Sequence, residues 1–386
     1  MSHVFVSYLH ENDKEIQMLY TRLTSYGVEV WLDRYEIKPG TDWRLAILEA
    51  IQEGNFFIAC FSKEYNDRNT TFMNEELALA IEQLRRRPID QVWFIPVLFS
   101  GKVPNWPIRP GQTLRDLEWV ELDKEEKWEN GIQKILKVIL RSSFYKAKRL
   151  AKLLTSIKDN PSCRNEFDRI LEELNMVYVE AGTFTSGSDR YGEPGKFEGP
   201  NLGAFCIDKY PVTNWNYMQF VKVTEHSAPD HWCGANCPDN LLKHPVKDIH
   251  YTDAQKFAQW AGKRLPTQWE WEKAARGTDG REFPWGDEFE SQRCNTRESV
   301  GKHTNCIGKY SGGVSPYRCW DMAGNVWEWT LTPEGQNIIP LLHGGSCMYY
   351  QYQARCSYRI QRERIRDENI GFRCVIGPDT QNIEEN

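Results

Sequence analysis

The chain has 386 residues, 40% of them hydrophobic and 26% charged, which suits a globular protein of two domains. Its formal charge of -6 gives no reason to expect nucleic acid as the main partner. No apolar run approaches the roughly 20 residues that span a bilayer, no basic-then-apolar leader precedes residues 4–8, and eleven cysteines are an odd number, so a cytoplasmic protein with no membrane partner is expected.

Short apolar runs alternate with helical patterns over residues 1–140. Residues 4–8 read as a strand. Ile16, Leu19 and Leu23 then recur at helical spacing, after a capping-box-like Asn12 and Glu15 and before Gly27. Residues 28–32, 56–62 and 92–98 read as further strands. Residues 43–51, 72–84 and 125–140 read as helices, with Thr41 a plausible cap for the first of them. Strands alternating with helices imply a parallel sheet covered on both faces, with ligands at the carboxyl ends of its strands. That places Ser7, Tyr8, Asp33 and the loop 34–42 at the functional edge.

VFVSY at 4–8, WLDRYEIKPGTDW at 31–43, TFMNEEL at 71–77, IPVLF at 95–99 and RPGQTLRDL at 109–117 follow one another in an order and spacing that resemble the Toll/interleukin-1-receptor (TIR) domain. The resemblance implies a flavodoxin-like five-stranded parallel sheet and self-association. Many members of that family cleave NAD at the nicotinamide–ribose bond, using one glutamate four positions after an aromatic residue. Phe72 holds the aromatic position, usually tryptophan, and Glu76 the glutamate. A carboxylate suits this chemistry because departing nicotinamide leaves an oxocarbenium-like ribose, which a negative charge stabilises. By its helical pattern alone, Glu76 reads as a solvated glutamate, the usual fate of that residue, and the family resemblance is what reverses this toward catalysis; Glu75 points about 100° away. Ser7 and Tyr8 fall where the family approaches the nucleotide, with Leu9 where animal and plant members often carry arginine. Asp33 either binds ribose or caps its loop, and Trp43 either stacks on adenine or packs. No glycine-rich phosphate motif is present, so hydride transfer is not expected.

Residues 141–175 read as a helical connector of two short amphipathic helices. Leu150, Leu153, Leu154 and Ile157 share one face, and Phe167, Ile170, Leu171 and Leu174 another. The faces are expected to pack on a domain or on another copy of themselves.

Residues 176–377 are rich in turns and aromatics. MVYVEAGTFTSGS at 176–188 reads as a hairpin-like pair of strands, and FCIDKYPVTN at 205–214 as a strand before a helix. Tyr251–Trp260 reads as an amphipathic helix, and GKRLPTQWEWEKAARG at 262–277 carries the next, with Trp269, Trp271 and Ala274 filling space. In DMAGNVWEW at 321–329, Gly324 and Asn325 offer a turn tolerant of positive φ, and Trp327 and Trp329 would share one face of the strand that follows. These motifs, with Pro284-Trp285-Gly286 and Gly344-Gly345-Ser346, resemble the formylglycine-generating-enzyme (sulfatase-modifying-factor) family, which implies an irregular α+β, C-type-lectin-like fold.

The family's enzymes bind copper through a cysteine pair shortly after the GGS motif; two soft thiolates suit Cu(I). Here the segment reads HGGSCMYYQYQARCSYR. Cys347 comes two places early, Tyr349 stands where the first ligand is expected, and the next cysteine is Cys356. Formylglycine generation is therefore disfavoured, with Cys347 and Cys356 as the runner-up copper pair, and no His-x3-His motif supports iron. His231, Cys233 and Cys237 form a local metal-like cluster without the second pair that zinc wants. Asn295 and Asn325 match asparagines near the family's calcium sites, and calcium takes oxygen ligands.

Cys347, Tyr349, Tyr350, Tyr352, Arg355, Tyr358, Arg359, Arg362, Arg364 and Arg366 crowd into one stretch before NIGFRCV at 369–375. Tyrosine and arginine are the side chains of recognition surfaces. The pattern resembles the variable proteins of diversity-generating retroelements, which display varied residues on this fold. The tail 378–386 is polar. The expected protein is an intracellular receptor whose C-terminal domain binds a ligand, expected to be a protein, through these residues, and whose TIR domain hydrolyses NAD on assembly. A non-enzymatic TIR adaptor and a formylglycine-type oxidase are the alternatives.

Overall fold

Residues 4–7 are apolar except for the last, and in the computed structural model they form the strand β1 (Val4–Ser7) at the centre of an α/β unit. The structure describes residues 3–25, 28–37, 40, 42–54, 56–68, 70–87, 92–157, 160–190, 195–232, 234–299, 302–334, 337–361 and 368–382. The helix α1 (Asp13–Ser25) follows, then β2 (Val30–Trp31), α2 (Asp33–Glu36), α3 (Trp43–Glu53), β3 (Phe56–Phe61), α4 (Lys63–Asn66), α5 (Phe72–Arg86) and β4 (Phe94–Leu98). A ribbon of β5 (Pro107–Arg109) and β6 (Gln112–Thr113) precedes β7 (Val120–Glu121) and α6 (Glu125–Ser156). The sheet order is β2-β1-β3-β4-β7, every pair parallel, which is the flavodoxin-like order expected.

Alternation along the strands divides the core into two layers. Val4, Val6, Ile58 and Val97 face Ile16, Leu19 and Leu23 of α1 and Ile132 and Leu136 of α6. Phe5, Phe57, Phe61 and Phe94 face Ile47 and Ile51 of α3 and Met73, Leu77 and Ile81 of α5. Both faces are covered, so the strands are nearly continuous apolar runs. Asp42, not Thr41, caps α3: its side chain accepts from the backbone N–H groups of Arg44 and Leu45, while Thr41 lies outside the described residues.

By contact density the chain divides into two units, residues 1–140 and 141–386. The helix predicted to stop at Leu140 does not stop there. Its apolar periodicity continues, and α6 runs unbroken for 32 residues. What the sequence suggested as the first connector helix is thus the second part of α6. Leu150, Leu153 and Leu154 pack with Phe167 and Ile170 of α7 (Arg164–Glu173) against Met176, Cys206 and Ile376.

In the second unit β8 (Met176–Val179) and β9 (Thr185–Ser188) are not the expected hairpin. β9 pairs with β10 (Gly195–Glu198), whereas β8 pairs with β11 (Phe205–Asp208), which also pairs with β16 (Val375–Ile376). The helices α8 (Asn214–Thr224), α9 (Tyr251–Trp260) and α10 (Gln268–Arg276) follow, the last opened by a capping box of Thr267 and Glu270. A sheet of order β14-β13-β12-β15 closes the unit: β12 (Trp327–Glu334), β13 (Asn337–His343), β14 (Arg359–Ile360) and β15 (Ile370–Gly371). Gly324 and Asn325 take φ of 79° and 68° before β12. A Cβ on Gly324 would lie 2.2 Å from the Asn295 carbonyl oxygen, so only glycine is accommodated there. Trp327 and Trp329 enter one core with Tyr217, Phe257 and Phe372.

No helix among the described residues is long and apolar enough to cross a membrane.

Candidate functional site

The buried face of α5 carries Met73, Glu76, Leu77, Ala80, Ile81 and Leu84, so helical spacing turns Glu76 inward among apolar side chains. Glu76 is 5% exposed. The Ser7 hydroxyl, at the carboxyl end of β1, donates to Glu76 Oε2 at 2.5 Å. At the end of β2, Asp33 accepts a 3.0 Å hydrogen bond from the Tyr8 hydroxyl. Four of the predicted residues therefore meet at the carboxyl edge of the sheet. Burial pushes the Glu76 carboxyl up to about 8; the Ser7 hydrogen bond opposes the rise and the Asp33 charge adds to it. Among the described residues no cation pairs with Glu76. Glu75 points outward, 3.7 Å from Arg44.

Ser7 is fully buried and its hydroxyl is spent on Glu76, so in this conformation it cannot contact a nucleotide directly. Tyr8 is nearly buried, with its ring edge-on to His10. Phe72, at the first position of α5, is 42% exposed. The side chain of Trp43 lies outside the described residues.

The segment after Gly344-Gly345-Ser346 is less of a surface than its composition suggests. Cys347 and Arg355 are fully buried, which removes both from the expected contact surface. Arg355 lies 4.4 Å over the Tyr352 ring, donates to the Tyr352 carbonyl and to Ser188 Oγ, and sits 3.8 Å from Glu282. A guanidinium whose stem and plane pack on aromatics, with its charge met by a carboxylate, belongs to the interior. Tyr349 packs edge-on against Trp327 and Tyr352 against Tyr358, so these rings join the core margin. Tyr350, 51% exposed, and Arg359 do face outward. Arg362, Arg364 and Arg366 lie outside the described residues.

Two partners of this surface escaped the sequence. The Arg297 guanidinium lies 4.9 Å over Tyr350, and its backbone N–H holds the Tyr349 carbonyl. Arg359 lies 5.6 Å over Trp269, which meets the exposed Phe197 edge-on. Trp269 reads as a packing residue from its place in α10; only the β10 and β14 strands, distant in sequence, make it part of a face.

The expected metal positions divide. Asn325 Oδ1 already accepts from Asn295 Nδ2 and from the Asn305 backbone N–H, whereas Asn295 Oδ1 is buried without a partner. One oriented amide oxygen is less than the six to eight oxygens calcium takes, so this pair alone does not make a calcium site. No group of three or more His, Cys, Asp or Glu placed to hold a metal occurs among the described residues. Cys233 lies outside them. Burial pushes the Cys356 thiol up to about 12, against the thiolate that copper would need.

A TIR-like parallel sheet with a buried carboxyl at the carboxyl edge of its strands, followed by an irregular α+β domain, defines a two-domain protein of composite class. The TIR domain family matches residues 4–136. The sulfatase-modifying factor enzyme 1-like domain family matches residues 165–378, more than half of the chain, and the chain belongs to that family. It is 32% identical over 285 residues to the formylglycine-generating enzyme of Streptomyces coelicolor, covering 53% of this chain and 90% of that one. It is 29% identical over 282 residues to the uncharacterized protein YfmG of Bacillus subtilis, covering 57% of this chain and only 58% of YfmG. Among solved structures, Treponema denticola variable protein 1 aligns at a TM-score of 0.43 and 17% identity, over 53% of this chain and 95% of that one.

Proposed function

We propose that the TIR unit hydrolyses NAD at the nicotinamide–ribose bond and that the C-terminal unit is a ligand-binding domain controlling it through assembly. The observation that carries the first part is Glu76: a buried carboxyl with no cationic partner among the described residues, at the carboxyl edge of a parallel sheet. The cationic nicotinamide of NAD favours the ionised carboxylate as it arrives. The carboxylate then stabilises the cation that develops on ribose as neutral nicotinamide departs with the bond's electron pair. Water adds to the ribose carbon and loses a proton, giving ADP-ribose. Tyr8 and Asp33, hydrogen-bonded to each other at the same edge, are the groups this reading puts beside the ribose. Cytoplasmic NAD is the substrate pool this reading requires.

The binding role is supported by the outward Tyr350 and Arg359 and the aromatic and cationic side chains stacked on them. A protein ligand suits such a face. The test of the whole reading is NAD consumption by the purified chain, free and clustered on beads, beside Glu76→Gln. Nicotinamide release that rises on clustering and vanishes in the variant is the expected result. A folded chain that turns over no NAD even when clustered would make the TIR unit an adaptor instead.

A further inference from the structure

We infer that Ser7 is the positioning residue for Glu76: the last residue of β1 reaches across to α5 and holds one carboxyl oxygen at the edge of the sheet. The inference rests on the proposed NAD chemistry for its function, and on the structure alone for the bond. Ser7 is fully buried at the end of β1, where its backbone pairs with Ala59 of β3. Its hydroxyl is the one hydrogen-bond donor to the Glu76 carboxyl among the described residues. The helix cannot supply a substitute. Glu76 is the fifth residue of α5, and the Thr71 cap already satisfies the backbone N–H of Asn74.

The groups around this pair give the hydroxyl its importance. From the β1 and β2 ends come Tyr8 and Asp33, with His10 against the Tyr8 ring. On α5 itself Glu75 turns out toward Arg44 of α3, and Tyr65 of α4 is spent on Asn74. Burial and the nearby Asp33 both disfavour a charged Glu76; the Ser7 hydroxyl is what works the other way. An O–H aimed at a carboxylate also fixes its rotamer, so the charge stands where the ribose cation develops. Ser7 would thus raise the ionised fraction and orient it, without touching NAD.

The test compares wild type, Ser7→Ala and Ser7→Thr as full-length chains clustered on beads, with kcat/KM measured from pH 6 to 10. Loss of the hydroxyl should move the rise of kcat/KM with pH upward by about one pH unit, a deficit of about tenfold at pH 7 that closes near pH 10. Threonine, which keeps the hydroxyl, should restore the profile. A uniform loss at every pH would mean that Ser7 merely supports the fold, and would overturn the proposal. A second measurement needs no turnover. In chains carrying carboxyl-labelled glutamate, the Glu76 NMR resonance is identified by its absence in Glu76→Gln and titrated directly. A higher midpoint in Ser7→Ala than in wild type supports the positioning role even if wild type cleaves no NAD, in which case the catalytic reading alone falls. Equal midpoints overturn it.

Discussion

The two units bury charge in opposite ways. In the first, Glu76 is a buried carboxyl held by a serine, with no cation beside it among the described residues. In the second, buried carboxylates stand against buried cations. Arg373 Nε and Nη2 reach Glu328 at 2.6 and 2.8 Å, Arg276 reaches Glu272 at 2.7 Å, and Lys263 reaches Asp208 at 2.6 Å. Taking a carboxylate out of water is costly, and a partner charge with good geometry offsets most of that cost. A paired buried charge is therefore tolerated in the core and costly to unpair. An unpaired one weakens the fold, and a chemical task is the natural reason for keeping it. The same residue type, at similar burial, reads as structure in one unit and as a site in the other.

Unpairing a buried charge in the second unit should destabilise the protein most. Arg373 also donates to the carbonyls of Asp208 and Trp320, and Glu328 also accepts from the Trp271 indole N–H. Arg373→Met should cost about 3–5 kcal/mol, because it leaves Glu328 buried without its cation. Denaturant unfolding of the full chain, followed by tryptophan fluorescence, checks this. A loss below about 1 kcal/mol would mean that the pair is not the clamp its geometry indicates.

Removing the charge in the first unit should do the reverse. The folded chain holds the Glu76 proton up to about pH 8, while the unfolded chain releases it near its ordinary value of 4.5. Between those values the folded state binds more protons, so stability falls as pH rises and levels off above 8. Glu76→Gln cannot ionise. It should match wild type near pH 4 and exceed it by about 2 kcal/mol at pH 8, a figure discounted from the full linkage value because the site relaxes and admits water. Thermal unfolding at the two pH values separates these cases. An equal difference at both would show that Glu76 does not titrate in this window. Gained stability together with lost NAD cleavage would be the signature of a site kept at the expense of the fold.

Much of the first unit was legible because its physics is local. Apolar runs of strand length and helices at 3.6-residue spacing declare themselves segment by segment; the flavodoxin-like order of the strands came from the resemblance to the TIR domain. Glu76 was the exception: by its helical pattern it reads as a solvated glutamate, and only the structure turns it inward, to a bond with Ser7, 69 residues away. In the second unit the decisive contacts are remote. β8 looks like a hairpin partner of β9 until β11 claims it. Arg355 has the composition of a contact residue and is instead held by Ser188, 167 residues earlier, and by Glu282. Glu272 and Arg276, spaced i,i+4 on α10, imitate a solvated helix pair and are fully buried.

The same contrast between packed and outward side chains occurs within a single loop. Tyr349 and Tyr350 are adjacent, yet the first packs on Trp327 and the second stands outside under Arg297. Tyr349→Ala should cost about 1–2 kcal/mol, from lost aromatic contact and a cavity at the core margin. Tyr350→Ala should stay within about 0.5 kcal/mol of wild type, as exposed substitutions do. If the loop is a recognition surface, the order reverses for binding: Tyr350→Ala, and more so with Arg359→Ala, should abolish capture of a ligand that the wild-type domain retains. Tyr349→Ala should weaken capture only as far as it loosens the loop. A Tyr350→Ala variant that binds normally would leave the contact surface to other residues. One that unfolds would show that even the outward side chains of this loop are framework, and the division between paired, buried structure and free surface would no longer hold.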